Sequence, residues 1–364
     1  MDGGLEAWLE RPGGRFRDRF DRKVSDWIRP WARGATGALP GGEGDAGALP
    51  VSAAGALPVS AAGGEAADAL PGDAGAFDAA LIGAPLSKTS ISHSAAFRLP
   101  DAIRAAFAGM TPYSVTHGVD VGEVIRVIDL GNIRMHPTDL AACHSAIEAA
   151  VRAYWRRFDR PLVLLGGDHS VTGAAILGMA AARGRRYGIL HFDAHHDVRN
   201  LEDGGRTNGT PMRTVLDSGV VDGRNVVQIG LRDFANSAHY HRYALEHGVT
   251  VVPMRAVRRR GLAAVVDEAV GRLAASVDAV YVTFDMDALD PAFAPGVAAP
   301  VPYGLTLWEA ADALEALGGH PKVCGLDVVC ADPSQDVRDL TVRAAAHLVL
   351  SFWTGMALRK LGRG

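Results

Sequence analysis

The sequence predicts an α/β fold: a doubly wound, mostly parallel sheet of eight strands with helices on both faces, in three α/β/α layers. Three observations carry this expectation. Short runs rich in Val, Ile and Leu recur eight times from residue 79 onward. Continuous apolar runs mark strands buried on both faces, the usual state of a parallel sheet. Longer amphipathic stretches lie between several of them. Polar clusters follow three of the runs directly, at the carboxyl ends where open α/β sheets hold their sites.

The elements are taken in chain order. Residues 1–75 read as an N-terminal extension and linker, and residues 76–364 as one folded domain. Residues 10–34, ERPGGRFRDRFDRKVSDWIRPWARG, mix both charge signs with two tryptophans. They read either as a short docking helix or as a solvated arm. GALPVSAA then occurs at 47–54 and again at 55–62. Its Gly, Ala, Pro and Ser cannot bury a core, so a disordered linker is expected. Two copies are too few for a solenoid. The strands are expected at 79–83, 124–131, 161–166, 187–193, 225–231, 250–254, 279–285 and 322–329. Helical stretches include 139–158 and 261–276. The apolar run 344–358 carries His347 and Gly355 and falls short of the ~18 residues of a membrane span, so it reads as a buried helix.

Composition narrows the function. The net charge of −4 lacks the basic bias of a nucleic-acid binder. Cys143, Cys324 and Cys330 form no CxxC pair and are too few for a disulfide scaffold. The N-terminus lacks a basic-then-apolar signal pattern. A cytoplasmic protein is expected, with a small-molecule partner rather than nucleic acid or membrane.

The polar clusters are GGDHS at Gly166–Ser170, then Asp193, His195 and Asp197, then Asp285, Asp287 and Asp290. Taken singly, each has a structural reading: a turn with a helix cap, a hydrogen-bonded loop, a Mg²⁺–nucleotide feature. In an extended chain alternate residues share a face, so Asp193, His195 and Asp197 point one way, and Asp285 repeats this with Asp287. Four carboxylates and one or two imidazoles converging on one spot require cations. That ligand mix suits a divalent metal such as Mn²⁺. Six ligands exceed one ion with an open position and suit two ions about 3.5 Å apart.

GGDHS, DAHHD and FDMDALDPAFAPG resemble the arginase/agmatinase/formimidoylglutamase family, the ureohydrolases, over roughly residues 79–360. The resemblance implies manganese-dependent hydrolysis of amidine carbon–nitrogen bonds on a doubly wound sheet. It implies two Mn²⁺ ions per subunit, held by His169, Asp193, His195, Asp197, Asp285 and Asp287. His169 and Asp197 would serve one ion, His195 and Asp287 the other, and Asp193 and Asp285 would bridge. Asp197 would be catalytic, orienting the attacking hydroxide. The resemblance also implies a homo-oligomer, trimer or hexamer.

Substrate choice is read from departures within that family. Asn208, in GRTNGTPMR, stands where arginase- and agmatinase-like members place a histidine, and an amide cannot shuttle a proton. Cys330, in LDVVCADP, stands where guanidine hydrolysers carry a glutamate. Arg199 stands where arginase-like members place an asparagine near the substrate carboxylate. A guanidinium there offers a bidentate contact to a carboxylate and repels a cationic tail. Arg213 would add a second positive group. Each arginine has an alternative in an ordinary salt bridge or packing role. SISHSAAF and the stretch VVQIGLRDFANS look formimidoylglutamase-like; Lys88, Ser92 and His93 are read either as pocket-mouth or as loop-packing residues. His191 reads as support behind the ligands, His196 as facing away, and His239, His241 and His247 as solvated.

The expected function is therefore hydrolysis of N-formimidoyl-L-glutamate to L-glutamate and formamide. Agmatine or a guanidino acid is the alternative substrate, and a catalytically decayed metal-binding scaffold the alternative class.

Overall fold

The computed structural model describes residues 20–31 and 77–363. Both GALPVSAA copies, and the disorder expected of them, lie outside the described residues. In chain order the strands are β1 Arg29–Pro30, β2 Ala79–Gly83, β3 Tyr113–Ser114, β4 Val119–Asp120, β5 Val127–Asn132, β6 Leu162–Leu165, β7 Tyr187–Phe192, β8 Val226–Leu231, β9 Thr250–Pro253, β10 Ala279–Asp285 and β11 Val323–Val329. The helices are α1 Val24–Trp27, α2 Leu99–Phe107, α3 Val121–Val124, α4 Leu140–Arg157, α5 Ser170–Ala180, α6 Pro211–Ser218, α7 Ala238–Glu246, α8 Met254–Arg260, α9 Leu262–Ser276, α10 Leu307–Gly319 and α11 Leu340–Lys360.

All eight expected strands form, but among the described residues the main sheet has nine, in the order β1-β5-β2-β6-β11-β10-β7-β8-β9. Its pairings are parallel. The ninth, β1, comes from the N-terminal segment. It has two residues, one of them proline, so no periodic pattern announces it. Proline is tolerated there because the strand is an edge. The Trp31 amide donates to the Asp129 carbonyl at 2.8 Å, extending the pairing.

The expected boundary at residue 75 therefore needs correction, because residues 20–31 belong to the folded body. Val24 and Trp27 are buried. The Trp27 ring meets Trp353 of α11 edge-on at 5.4 Å, and its Nε1 donates to the Ile125 carbonyl at 2.9 Å. The indole buries apolar area while its one donor is satisfied.

Alternate strand residues feed two cores. Leu190, Phe192, Val282, Phe284, Leu326 and Val328 face one side. Ile189, Tyr281, Leu162 and Leu164 face the other. Helices cover both sides, as the continuous apolar runs require. α4 starts at a cap, the Asp139 carboxylate accepting from the Ala142 amide at 2.9 Å; α10 starts at a reciprocal Thr306–Glu309 capping box. α11 contains the run 344–358 and is buried along most of its length. Gly355 is needed there: a Cβ at that position would lie 1.8 Å from the Glu315 carbonyl oxygen of α10. No helix among the described residues is long and apolar enough to cross a membrane.

Register positions the site. Phe192 pairs with Phe284, Asp285 with Val329, and Leu165 with Val328. The four central strands β6, β11, β10 and β7 thus end at one level. The chain leaves β6 for β7, and β10 and β11 later fill the gap between them. That reversal of strand order opens a crevice at their carboxyl ends.

Candidate metal centre

The GGDHS turn joins β6 to α5. A Cβ on Gly167 would lie 1.8 Å from the Leu86 carbonyl oxygen, so only glycine lets these backbones meet. Asp168 serves the turn: its Oδ1 accepts from the Ser170 amide at 3.0 Å, and its Oδ2 from the Thr89 hydroxyl at 2.6 Å. His169 is the member that reaches the crevice. The cluster thus combines its structural reading, through Asp168, with its ligand reading, through His169.

His169 Nδ1 lies 3.1 Å from Asp193 Oδ2, 2.9 Å from Asp197 Oδ2 and 3.1 Å from Asp285 Oδ2. It is wholly buried and has no hydrogen-bond partner of good geometry. One ring proton cannot serve three carboxylates, so the four atoms surround a point suited to a cation. Nε2 is held by the Thr283 hydroxyl at 3.0 Å. A second group lies alongside: His195 Nδ1 is 2.9 Å from Asp287 Oδ2 and 3.4 Å from Asp193 Oδ1. Ligand atoms of Asp193, His195 and Asp287 all lie within 4.8 Å of one another. All six expected ligands therefore converge, with Asp193 common to both groups. The donor set fits divalent cations of borderline hardness.

The route to this convergence differs from the simple alternation expected. The 193–197 segment is a turn, not a strand. Asp193 Oδ1 accepts from the His195 amide at 2.6 Å, and Asp197 has φ 53° in the left-handed region, which Asp tolerates better than most residues. The Asp197 carbonyl then accepts from the Met212 and Arg213 amides at the start of α6. Asp285 and Asp287 form a similar turn, the Asp287 amide donating to Asp285 Oδ1 at 2.8 Å. Asp290 stays outside, accepting from the Ala292 and Gly304 amides.

The electrostatics express the crowding. Burial raises the Asp287 pKa well above the ordinary carboxylate range, and repulsion from Asp193 and Asp285 adds to it. Burial resists charging of His195, but Asp287 and Asp193 outweigh it and raise its pKa to about 12. So many acids held together demand positive charge. Burial, then Asp285, pushes the Cys330 thiol up. It is held protonated, a poor state for a nucleophile.

A cavity of about 260 Å³ opens above the cluster, with Asp197, Asp285 and Asp287 at its floor and Arg199, Asn208, Ser92 and Cys330 among its walls. Arg199 is exposed, has no acidic partner among the described residues, and lies against Gly209. Asn208 Oδ1 accepts from the Ile91 amide at 2.9 Å and so ties down the mouth loop. Lys88 is exposed and does not line this cavity. The His93 carbonyl accepts from Gln335 Nε2 at 3.0 Å, a packing role.

Two expectations are corrected. Arg213 does not line the cavity: its Nε donates to Asp217 at 2.7 Å, and its guanidinium lies 4.0 Å from the Tyr243 ring centre. α6 turns it outward, toward α7. His241 is not simply solvated; its Nδ1 lies 3.0 Å from His196 Nε2. His191 supports the cluster as expected, with Nε2 2.8 Å from Asp193 Oδ2.

Sequence reasoning overlooked Gln228 and Asn236. Asn236 clamps the 194–196 turn, accepting from the His196 amide at 2.8 Å and donating to the Ala194 carbonyl at 2.9 Å. Gln228 is fully buried between His191 and His196. Its signal was available: a lone amide inside the apolar run VVQIGL must find buried partners.

Residues 77–354 match the family model described as the Arginase family. The chain is similar to a formimidoylglutamase of Halalkalibacterium halodurans, 45% identical over 284 residues, covering 78% of this chain and 88% of that protein. Its fold matches the crystal structure of formimidoylglutamase from Bacillus subtilis with a TM-score of 0.82 at 34% identity, covering 97% of each chain. A formiminoglutamase of Trypanosoma cruzi, solved with Mn²⁺, matches with a TM-score of 0.72 at 25% identity, covering 78% of this chain and 94% of that one.

Proposed function

The chain belongs to the arginase family, and from that premise we propose that it hydrolyses N-formimidoyl-L-glutamate to L-glutamate and formamide with two Mn²⁺ ions per subunit. The observation that carries the substrate choice is Arg199: a guanidinium with no acidic partner among the described residues, on the wall of the cavity whose floor is the carboxylate–imidazole cluster. An acidic substrate would pair with it in a charge-assisted, bidentate contact. Agmatine would bring its cationic end to the same group and be repelled.

His169 and Asp197 would hold one ion, His195 and Asp287 the other, with Asp193 and Asp285 shared. When bound, such ions lower the pKa of water toward neutrality and polarise the amidine. The chain's own groups do the rest. Arg199 anchors the carboxylate end, and Asn208, whose Oδ1 is engaged by Ile91, offers its amide nitrogen to the substrate. Asp197 accepts a hydrogen bond from the attacking water and orients it. With cations beside it the Asp197 carboxylate would stay ionised, the state that accepts this hydrogen bond and takes up the proton. It returns the proton to the nitrogen of the departing glutamate as the tetrahedral carbon collapses. The protonated Cys330 brings no anion that would hold a guanidinium.

The test is a substrate panel with Mn²⁺: formimidoylglutamate, agmatine, arginine and guanidinobutyrate. Turnover of formimidoylglutamate at least about 100-fold better in kcat/KM is expected, corresponding to ~2.7 kcal/mol of discrimination. Turnover of agmatine alone would overturn the argument from Arg199.

A further inference from the structure

Behind the metal ligands runs a buried chain of polar side chains whose direction can be deduced. Gln228 of β8 is its centre. One end of the amide lies 2.8 Å from the His196 carbonyl oxygen. A carbonyl oxygen only accepts, so this end must be the nitrogen, Nε2. That single contact fixes which way the amide faces. Nε2 has a second hydrogen, directed at His191 Nδ1 at 3.0 Å. His191 Nδ1 is therefore the acceptor and carries no proton. The ring proton sits on Nε2, 2.8 Å from Asp193 Oδ2. On the other side, Gln228 Oε1 accepts, so the proton of His196 is on Nδ1, 2.6 Å away. His196 Nε2 is then bare and accepts from His241 Nδ1 at 3.0 Å.

Every donor in this chain points inward: His241 to His196, His196 to Gln228, Gln228 to His191, and His191 to Asp193. We infer that Gln228 is a positioning residue that sets this polarity, and so fixes the shared ligand Asp193 with a donor on its Oδ2. The inference rests on reading Asp193 as a metal ligand. Asp193 Oδ1 is oriented independently, by the His195 amide at 2.6 Å. With both oxygens directed, the carboxylate has one orientation to offer to cations. Supporting partners of this kind determine how ligands present themselves to a metal.

Gln228→Glu separates polarity from packing, because glutamate has the same shape but cannot donate. Its oxygen would face the His196 carbonyl and the bare His191 Nδ1. Equilibrium dialysis against Mn²⁺, with folding checked by circular dichroism, reads the effect without activity. Gln228→Glu is expected to weaken Mn²⁺ binding about 10- to 100-fold, no less than Gln228→Leu does. If Gln228 only fills space, Gln228→Glu binds Mn²⁺ within about twofold of the wild type and Gln228→Leu is the worse variant; that result overturns the inference. Should the variants fail to fold, ¹⁵N-histidine NMR of the wild-type protein, loaded with diamagnetic Zn²⁺, decides. The His191 signals are identified by their loss in His191→Phe. A protonated Nε2 with a bare Nδ1 supports the inference, and a protonated Nδ1 overturns it. Wild-type protein that takes up no Mn²⁺ defeats the metal reading itself, a failure distinct from equal binding by wild type and Gln228→Glu.

Discussion

Replacing Arg199 by alanine should raise KM for formimidoylglutamate and leave the metal centre alone. The guanidinium stands on the cavity wall, and its backbone amide is fixed by the Gly209 carbonyl at 2.9 Å. A charge-assisted hydrogen bond is worth ~1.5–3 kcal/mol. Arg199 is exposed, so solvent screening favours the lower half of that range, about 1.5–2 kcal/mol. At ~1.4 kcal/mol per tenfold, KM should rise about 10- to 30-fold. The contact is made equally in ground and transition states, so kcat should change little. Gly209→Ala offers an independent displacement: its Cβ would lie 2.7 Å from Arg199 Cδ. It pushes the same side chain aside without removing its charge, and KM should rise in the same direction. Steady-state rates at saturating Mn²⁺, with metal content measured by mass spectrometry, give both quantities. Unchanged KM in Arg199→Ala would refute the carboxylate contact. A parallel loss of metal would show that the residue acts on the cluster instead.

Asp285→Asn keeps an oxygen for the Asp287 amide but removes an anion that the proposed function shares between both ions. Mn²⁺ affinity, read by equilibrium dialysis, should fall by more than the ~10–100-fold typical of outer-shell partners; wild-type affinity with full retention of two ions would exclude Asp285 as a ligand. Arg213→Ala should leave KM within about twofold of the wild type and cost at most ~1 kcal/mol of stability, because an exposed ion pair and ring contact are all it loses. A KM rise matching that of Arg199→Ala would return Arg213 to the substrate. His144 is buried beside Ser170, its Nε2 3.0 Å from the hydroxyl. Burial, then Arg206, lowers its pKa from 6.5 to about 4. The folded pKa lies below the unfolded one, so stability present above pH 6.5 is lost as the pH falls toward 4. The loss is on the order of 3 kcal/mol. Urea unfolding at pH 7, 5.5 and 4.5 should show a shallower decline for His144→Gln than for wild type; equal slopes would contradict the assignment.

The central strands were legible because a strand buried on both faces admits little besides apolar residues; β5 and β9 are partly exposed but keep enough Val, Ile and Leu to be read. The convergence of the Asp and His side chains was legible because unpaired carboxylates after such buried strands have few other uses. Phase and contact across the chain were harder to read. Arg213 lies close in sequence to the cavity loop, but the turn of α6 directs it to Tyr243, some thirty positions onward. His241 lies on a polar helix, and nothing local to it announces His196. The 193–197 segment reached the expected result by an unexpected path, because the left-handed conformation of Asp197 is invisible to a two-residue periodicity. Gln228 could have been found from the cost of burying an amide, although its partners could not.

The docked N-terminal segment bears on where this protein can be shortened. A chain begun at residue 76 would follow the visible shift in composition and look like a tidy catalytic core. It would leave the backbone groups of Ile128 and Asp129, partners of Arg29 and Pro30, facing solvent along an open sheet margin. It would also bare the Trp353 ring that Trp27 covers. Such a margin beside an uncovered aromatic invites strand-to-strand self-association, so poor solubility of the shortened protein would reflect its cut edge rather than any defect in its chemistry.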